Sequence, residues 1–304
     1  MAPLPTPQQL RYLLALAQHQ HFGRAAEACA VTQSTLSAGL LTLERQLDAN
    51  LLDRAHGKLV VFTPLGREVV ARAREAMAAL GAVVEAVDAA RAPMSGPLRL
   101  GVIPTIGPFL LPRLMPALRE AFPRLRLFLR EDTTDRLVEG IEAGRIDVAL
   151  LALPCAQGKA ETLEVVRDPF LVALPPGHLL AQRDAVPVAA LAGERLLLME
   201  DGHCLREHAL AACGMMQRSA GADEFAATSL HTLVHMVAGG LGVTLLPRIA
   251  VDAGVAAGAE VVIRPLAGAG AWRTLGLGWR LNAPRAADYR ALAPVLAEVA
   301  AVSA

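Results

Sequence analysis

The sequence has no excess of charge of either sign. Its 304 residues carry 29 Lys and Arg against 29 Asp and Glu, so the formal net charge is zero. A protein that attracts nucleic acid with its whole surface has a global basic field. The charge balance excludes such a field, and any nucleic-acid site must be local.

The chain also has little cysteine and no long apolar run. It starts Met1-Ala2-Pro3-Leu4-Pro5, without a basic stretch followed by an apolar one, and has no run of about 20 apolar residues. We therefore expect neither a secretory signal nor a membrane partner, and we expect a cytoplasmic protein. Four irregularly spaced cysteines in such a chain do not predict a disulfide framework, because that compartment keeps thiols reduced. A cysteine pair here indicates redox activity instead.

The amino-terminal region predicts three helices. Thr6 can cap the first helix, with Gln9 reaching back to complete a capping box. A short, alanine-rich second helix is expected over Gly23–Ala30, and Thr32 can cap a third helix. Two helices joined by a tight turn are typical of a helix-turn-helix.

Four short hydrogen-bonding side chains lie near the exposed start of the third helix: Gln33, Ser34, Thr35 and Ser37. In a helix-turn-helix this end of the last helix contacts bases in the major groove. The next segment predicts a two-stranded wing that carries Arg54 and Lys58 toward phosphates. A solvated helix face is the alternative for the four polar residues, but the order of caps, helices and wing favours DNA contact. Residues 1–63 are therefore predicted to form a winged helix-turn-helix domain.

Thr63-Pro64 predicts the start of a long helix over residues 64–92. An apolar stripe runs along it, formed by Leu65, Val69, Ala73, Leu80, Val83, Val84 and Val87. Such a stripe can pair with a second copy of the helix. We expect a linker helix that makes the protein a homodimer or a homotetramer.

Residues 93–304 alternate short apolar strands with helical patterns, which predicts an α/β domain. The expected strands are Leu98–Ile103, Leu125–Leu129, Ile146–Leu151, Phe170–Leu174, Leu196–Met199, Val243–Leu246 and Leu275–Trp279. The expected helices are Leu110–Phe122, Arg136–Ala143, Cys204–Ala212 and Ser229–Ala238. Open α/β sheets bind ligands at the carboxyl ends of strands, where Thr105, Thr133 and Thr134 lie. A helix cap is the alternative role for each threonine.

Cys204 and Cys213 are nine residues apart in a predicted helix. Nine residues place the sulfurs on roughly opposite faces and about 13 Å apart along the axis. A disulfide needs Cα atoms within about 7 Å, so joining the pair requires the helix to unwind. This is the chemistry of a thiol switch.

The surroundings of the two cysteines differ. Cys204 lies at a helix start, between His203 and Arg206, and all three features favour the reactive thiolate. Cys213 has only small neighbours. The asymmetry predicts that Cys204 attacks peroxide and becomes a sulfenic acid, which Cys213 then resolves into a disulfide.

Two alternatives remain for the cysteines. Free cysteines are usually buried small hydrophobes, which is the role we assign to Cys29 and Cys155. A zinc site is the other alternative, because His203, Cys204, His208 and Cys213 are all ligand types. We predict no metal and no other cofactor, since Cys213 lies too far along the helix to join a tetrahedral set.

The chain resembles the LysR-type transcriptional regulators. The amino-terminal resemblance lies in Phe22-Gly23-Arg24-Ala25-Ala26, Gln33-Ser34-Thr35-Leu36-Ser37, Leu43-Glu44 and Phe62-Thr63-Pro64-Leu65-Gly66. Within that family it is similar to the OxyR-type hydrogen peroxide sensors, through Glu200-Asp201-Gly202-His203-Cys204-Leu205-Arg206, Cys213, Ile103-Pro104-Thr105 and Ala227-Thr228-Ser229-Leu230. The similarity covers nearly the entire chain.

The resemblance implies a regulatory domain like a periplasmic binding protein, with two subdomains around a cleft. Their expected bounds are about 93–167 with 276–304, and about 168–275. It also implies that Cys204 is the peroxidatic cysteine and Cys213 the resolving one. By the same resemblance Thr105, Thr134 and His203 hold peroxide and Arg273 orients the site, and Arg206, which favours the Cys204 thiolate, is a further supporting residue.

The predicted function is a peroxide-sensing regulator that binds double-stranded DNA and is not an enzyme. Oxidation changes how the protein assembles on DNA, and a thiol reductant restores the reduced protein. RNA polymerase is a further expected partner. The alternatives are a LysR-type regulator that binds a small co-inducer in its cleft, and a thiol peroxidase, which the amino-terminal domain disfavours.

Overall fold

The computed structural model describes residues 3–53, 60–91, 93–155, 160–200, 204–214 and 226–301. The chain divides into two compact units, one that contains residues 1–87 and one that contains 88–141 and 145–304. Among the described residues, no helix is both long and apolar enough to cross a membrane.

The amino-terminal unit begins with helices α1 (Pro7–His19), α2 (Phe22–Ala28) and α3 (Gln33–Leu47). The capping box of α1 is confirmed, because Gln9 N donates to Thr6 Oγ1 at 3.3 Å and Thr6 N donates to Gln9 Oε1 at 2.8 Å. Helix α2 ends before the predicted Ala30, since that residue takes a left-handed φ of 56°. It also begins earlier, because the His21 ring caps its first turn by accepting from Gly23 N at 3.1 Å.

Helix α3 buries the apolar face that the sequence predicts, formed by Leu36, Leu40 and Leu43. The buried carboxylate of Glu44 accepts from Leu51 N at 2.8 Å and from Leu52 N at 3.1 Å. These bonds attach α3 to a two-stranded antiparallel sheet, β1 (Leu52–Asp53) and β2 (Val61–Phe62). The predicted wing therefore has its two strands in place.

Helix α4 (Pro64–Arg91) follows the wing. Thr63 Oγ1 accepts from Gly66 N at 2.9 Å, so the predicted start is confirmed. The apolar stripe of α4 separates into two parts in the structure. One part includes Ala73, which is buried in the core of the amino-terminal unit. The other part is an exposed row that we call the α4 row: Leu65, Leu80, Val83, Val84 and Val87.

The larger unit is built on one mixed sheet, which confirms the α/β class. Its strands are β3 (Gly96–Val102), β4 (Leu125–Glu131), β5 (Val148–Leu153), β6 (Ala160–Leu174), β7 (Val186–Pro187), β10 (Thr244–Pro247), β11 (Val262–Ala267) and β12 (Trp272–Arg280). The order is β4-β3-β5-β12-β6-β11-β7, and β10 pairs with β6. Strand β3 is parallel to β4 and β5, whereas β12 is antiparallel to β5 and β6.

Helices pack around this sheet: α5 (Gly107–Ala121), α6 (Thr134–Glu142), α7 (Cys204–Ala212), α8 (Leu230–Ala238), α9 (Arg248–Asp252) and α10 (Ala286–Ala301). A separate parallel pair consists of β8 (Leu198–Met199) and β9 (Ala226–Ala227). The predicted span of α7 matches the structure, while α9, α10 and β11 were not predicted. Strand β6 starts ten residues before the predicted Phe170, because its first half is partly exposed and has no continuous apolar run.

Strands β6 and β12 run side by side with a register shift between Leu275 and Gly276. A Cβ at Gly276 would lie 2.6 Å from the Leu163 carbonyl oxygen, so only glycine allows this close approach. The two long strands connect two hydrophobic cores. One, the β5 core, includes Leu151, Leu275 and Leu292. The other, the β10 core, includes Val172, Val234 and Leu246.

Candidate functional site

The two predicted redox cysteines lie at opposite ends of α7 and on different cores. Cys204 is the first residue of α7, is partly exposed and packs against the β5 core. Cys213 directly follows α7, donates its amide to Ala209 O at 3.1 Å and is buried in the β10 core. Both are free thiols. The helical spacing therefore separates the sulfurs as the sequence predicts.

The chemical setting of Cys204 differs from the prediction. Burial raises the pKa of its thiol, and this effect exceeds those of Thr134, Arg273 and the Ala152 amide, which lower it. The predicted net lowering was wrong, because desolvation of a thiolate at this half-buried position outweighs the polar groups around it. Glu207 raises the pKa further.

The predicted cationic support for the thiolate also changes. Arg206 Nη1 donates to the Met199 carbonyl oxygen at 3.4 Å. Within the described part of the chain, the charge that lowers the pKa of Cys204 comes from Arg273. The third predicted contributor, His203, lies outside the described residues.

Arg273 is completely buried on β12 and is held on two sides. Its Nε donates to Asp168 Oδ2 at 3.0 Å, and the Ile249 amide donates to Asp168 Oδ1 at 3.1 Å. Burial raises the pKa of Asp168, while Arg273 and the Ile249 amide act in the opposite direction. On the other side, Arg273 Nη1 donates to Thr105 Oγ1 at 2.8 Å and Nη2 donates to Thr105 O at 3.0 Å.

Thr105 does not serve as the cap of α5. The cap is Ile106, which makes no side-chain capping bond. Because the Thr105 oxygen accepts from Arg273, its own hydroxyl proton remains available for a further acceptor. The structure thus brings Thr105 and Arg273 together, although 168 residues separate them in the sequence.

Thr134 and His208 carry the buried side-chain atoms that find no hydrogen-bond partner within the described part of the chain. The atoms are Thr134 Oγ1 and His208 Nδ1. The Thr134 hydroxyl nevertheless influences the Cys204 thiol, so it faces the sulfur without the geometry of an ordinary hydrogen bond. His208 lies one helical turn after Cys204 on α7. No cluster of three metal-ligating side chains occurs in the described ranges.

Cys29 and Cys155 occupy different settings. Cys29 is buried in the amino-terminal core, and its thiol donates to Arg11 O at 3.9 Å, which agrees with the predicted role of a small hydrophobe. Cys155 follows β5 and packs, partly exposed, against the same core as Cys204. Burial raises its pKa, and a charge on Cys204 raises it further, so the two thiols are close enough to interact. No pattern in the sequence indicates this proximity.

The candidate DNA-binding face lies at the start of α3. The side chains of Gln33, Ser34, Thr35 and Ser37 are all exposed there. Thr32 caps the helix by accepting from Thr35 N at 3.2 Å, and its hydroxyl also bonds Ser34 Oγ at 2.9 Å. Arg54 and Lys58 lie outside the described residues.

Comparisons with known proteins agree with both units. The family described as bacterial regulatory helix-turn-helix protein, lysR family, matches residues 7–67, and the LysR substrate binding domain matches residues 91–301. The DNA-binding transcriptional dual regulator OxyR of Escherichia coli is 41% identical over 292 residues, 95% of this chain and 94% of that protein. A probable hydrogen peroxide-inducible genes activator of Streptomyces viridosporus is 40% identical over 298 residues, 97% of this chain and 94% of that protein.

Solved OxyR structures share the fold. A full-length OxyR cysteine-to-aspartate variant from Pseudomonas aeruginosa matches with a TM-score of 0.75 and 34% identity, over 97% of this chain and 95% of that one. A hydrogen-peroxide-bound cysteine-to-serine mutant of Corynebacterium glutamicum OxyR matches with a TM-score of 0.67 and 29% identity, over 100% and 95%. The chain therefore belongs to the LysR family of transcriptional regulators. Within this family it is of the OxyR type, as the motifs around Cys204 predict.

Proposed function

We propose that the protein is a DNA-binding transcriptional regulator that senses hydrogen peroxide by forming a disulfide between Cys204 and Cys213. The observation that carries the proposal is the setting of Cys204, a partly exposed thiol beside the unpartnered Thr134 hydroxyl and the buried cation of Arg273. A relative named as a probable activator of hydrogen peroxide-inducible genes and an OxyR structure with bound hydrogen peroxide support the choice of oxidant.

The polar groups around Cys204 suit a small oxidant with two oxygens. Thr134 and Thr105 can each donate a hydroxyl proton to peroxide, because neither proton is used within the described structure. Arg273 provides positive charge for the peroxide oxygen that gains electron density as the O–O bond breaks. His203 is a further proposed contact from the sequence, and we assign Arg206 a supporting role outside direct contact.

Oxidation proceeds in two balanced steps. The Cys204 sulfur attacks one peroxide oxygen, the O–O bond breaks, and the products are a sulfenic acid and water. The Cys213 thiol then attacks the sulfenic sulfur, a second water leaves, and the disulfide forms. No further oxidant is needed, and a thiol reductant restores both thiols.

The second step requires a large change in α7. The helix holds the cysteine Cα atoms about 13 Å apart, whereas a disulfide needs them within about 7 Å. Cys213 must also leave the β10 core, where it is buried. Disulfide formation therefore unwinds α7 and removes one side chain from a packed core, which gives the chemical event a conformational effect.

We propose that this effect reaches DNA through the assembly. The α4 row supplies apolar surface for a homodimer or homotetramer, and each amino-terminal unit places Gln33, Ser34, Thr35 and Ser37 on bases. Arg54 and Lys58 of the wing contact phosphates in this proposal. A changed assembly alters which half-sites the dimer holds, and thereby its contact with RNA polymerase. Each regulator molecule reacts once per reduction cycle, so it is not an enzyme. It acts in the cytoplasm, where its DNA lies.

Counting thiols tests the proposal. The reduced protein has four free thiols, and we expect two to remain after one equivalent of hydrogen peroxide, with mass spectrometry locating a Cys204–Cys213 crosslink. Cys204→Ser should lose no thiols, whereas the matched control Cys29→Ser should still lose two. Four thiols in the oxidised wild-type protein would contradict the proposal and favour a co-inducer in the cleft.

A DNA experiment tests the link to transcription. Duplexes that bind the reduced full-length protein can be selected from random DNA and then footprinted with reduced and oxidised protein. We expect the protected half-sites to differ between the two states, and Cys204→Ser to keep the reduced footprint under peroxide. Identical footprints despite complete disulfide formation would separate oxidation from DNA binding and contradict the regulatory part of the proposal.

A further inference from the structure

His208 has a buried ring nitrogen without a partner in the described structure, and it lies one helical turn after Cys204 on α7. Its Nδ1 and Thr134 Oγ1 are the atoms of this kind among all residues that the structure describes. The Thr134 hydroxyl faces the Cys204 thiol. His208 lies a single turn after Cys204, on the same face of α7. Buried polar atoms in proteins are nearly always satisfied, so two exceptions at one thiol indicate a functional site.

The surroundings of His208 select one form of its ring. The carbonyl oxygens of Pro154 and Cys204 face the ring and can accept a ring N–H. Because Nδ1 has no partner, we assign the N–H to Nε2 and leave Nδ1 as a proton acceptor. Burial and the charge of Arg273 lower the pKa of His208 below its usual value, so the ring is neutral at neutral pH.

Other charged or titratable groups around His208 come from three elements. Arg273 faces it from β12, and Cys204 and Glu207 share its helix. Cys155 directly follows the Pro154 carbonyl at the end of β5. Arginine keeps its proton under all relevant conditions, so Arg273 cannot exchange one with the thiol.

We propose that His208 accepts the proton of the Cys204 thiol as the sulfur attacks hydrogen peroxide, and passes it to the leaving oxygen. The S–O bond forms while the O–O bond breaks, the sulfur is oxidised to a sulfenic acid, and the departing oxygen takes the proton and becomes water. The inference rests on the proposed function and adds a catalytic residue to it.

The burial of Cys204 explains why an acceptor is needed. Its raised pKa keeps the sulfur protonated at neutral pH, yet the thiolate is the nucleophile. The Thr134 and Thr105 hydroxyls can orient peroxide but are poor proton acceptors near neutral pH. A neutral imidazole with a free nitrogen one turn away fills this role.

The rate of Cys204 oxidation tests the inference. In the full-length protein we compare wild type with His208→Gln, which keeps hydrogen-bonding capacity but cannot carry a proton, by rapid quench with a thiol-alkylating reagent. We expect the second-order rate constant to fall about 100-fold, as removal of a general base typically causes. The exposed His235→Gln on α8 is the matched control and should react like wild type.

The pH profile gives a readout that a structural role would not change. The wild-type rate should fall as pH drops through the lowered pKa of His208, with an inflection below 6.5 that His208→Gln lacks. An NMR titration of His208 in the wild-type protein should give the same pKa as this inflection, which keeps the test valid even if the variant folds poorly.

The outcomes separate this inference from the proposed function. Suppose that the wild-type protein loses two thiols to peroxide and that His208→Gln reacts at the same rate and with the same pH profile. This result overturns the role of His208 and leaves the proposed function intact. A wild-type inflection that differs from the NMR pKa of His208 also overturns it. A wild-type protein that loses no thiols contradicts the proposed function itself.

Discussion

Arg273 holds Thr105 with two hydrogen bonds, one to its hydroxyl oxygen at 2.8 Å and one to its carbonyl oxygen at 3.0 Å. The same guanidinium is paired with Asp168, and both side chains are almost completely inaccessible to solvent. The positions of the three residues therefore depend on one another.

Removing the cation should destabilise the protein strongly. We expect Arg273→Ala to lower the free energy of unfolding by about 3–5 kcal/mol, because it leaves the Asp168 carboxylate buried without its partner. Urea unfolding of the reduced protein measures the loss. A double variant with Asp168→Ala should lose less than the sum of the two single variants, since no charge is then left unpaired. Full additivity would show that the pair is not coupled.

Two threonines should respond in opposite ways to loss of their hydroxyl groups. Thr134→Val removes a buried hydroxyl that has no partner, so we expect unchanged or increased stability, by up to about 1 kcal/mol, together with slower Cys204 oxidation. Thr105→Val removes an acceptor that Arg273 uses, so we expect a loss of about 1–3 kcal/mol. Thermal unfolding and oxidation rates check both, and a destabilised Thr134→Val variant would show that its hydroxyl is satisfied in solution.

Stability should depend on alkaline pH through Cys213. Burial raises the pKa of its thiol from 9.0 to about 11 in the folded protein. The folded state therefore keeps a proton that the unfolded chain releases, so this contribution is fully present below pH 9.0 and is lost as pH rises to about 11. The loss is at most about 2.7 kcal/mol. Under reductant, Cys213→Ala should show a smaller decline than wild type between these pH values, and parallel curves would contradict the assignment.

Oxidation should expose the backbone of α7. Hydrogen exchange of the oxidised protein should show reduced protection over residues 204–213, because the disulfide cannot form while the helix is intact. The Cys213→Ser variant treated with peroxide serves as the control and should keep its protection. Equal protection in reduced and disulfide-bonded wild-type protein would contradict the unwinding.

The start of α3 should determine DNA affinity. We expect Gln33→Ala to weaken binding to a selected duplex by about 1–3 kcal/mol, because an exposed side chain at this end of a recognition helix contacts a base. Thr42→Ala is the matched control and should bind like wild type, because Thr42 is exposed on α3 but lies on roughly the opposite side of the helix from Gln33. Fluorescence anisotropy at fixed salt measures both. Equal affinity of Gln33→Ala and wild type would assign Gln33 to the solvated face of the helix.

The amino-terminal elements and α7 could be predicted well because their signals are local. Thr6, Thr32 and Thr63 cap helices through residues at most three positions away, and those bonds are present in the structure. Strand β6 was predicted only in its buried half, since a partly exposed strand lacks a continuous apolar run. Cys155 was assigned to packing alone, although the fold brings it near Cys204.

The sequence by itself determined the family, the helix-turn-helix and the angular separation of Cys204 and Cys213. These follow from motifs and from the fixed rotation of an α-helix, both of which need only neighbouring residues. The tertiary structure decided that Arg273 joins Thr105 and Asp168, that His208 keeps a free nitrogen, and that burial raises rather than lowers the pKa of Cys204. Desolvation and long-range charge depend on residues that the fold brings together from distant positions, so no local pattern contains them.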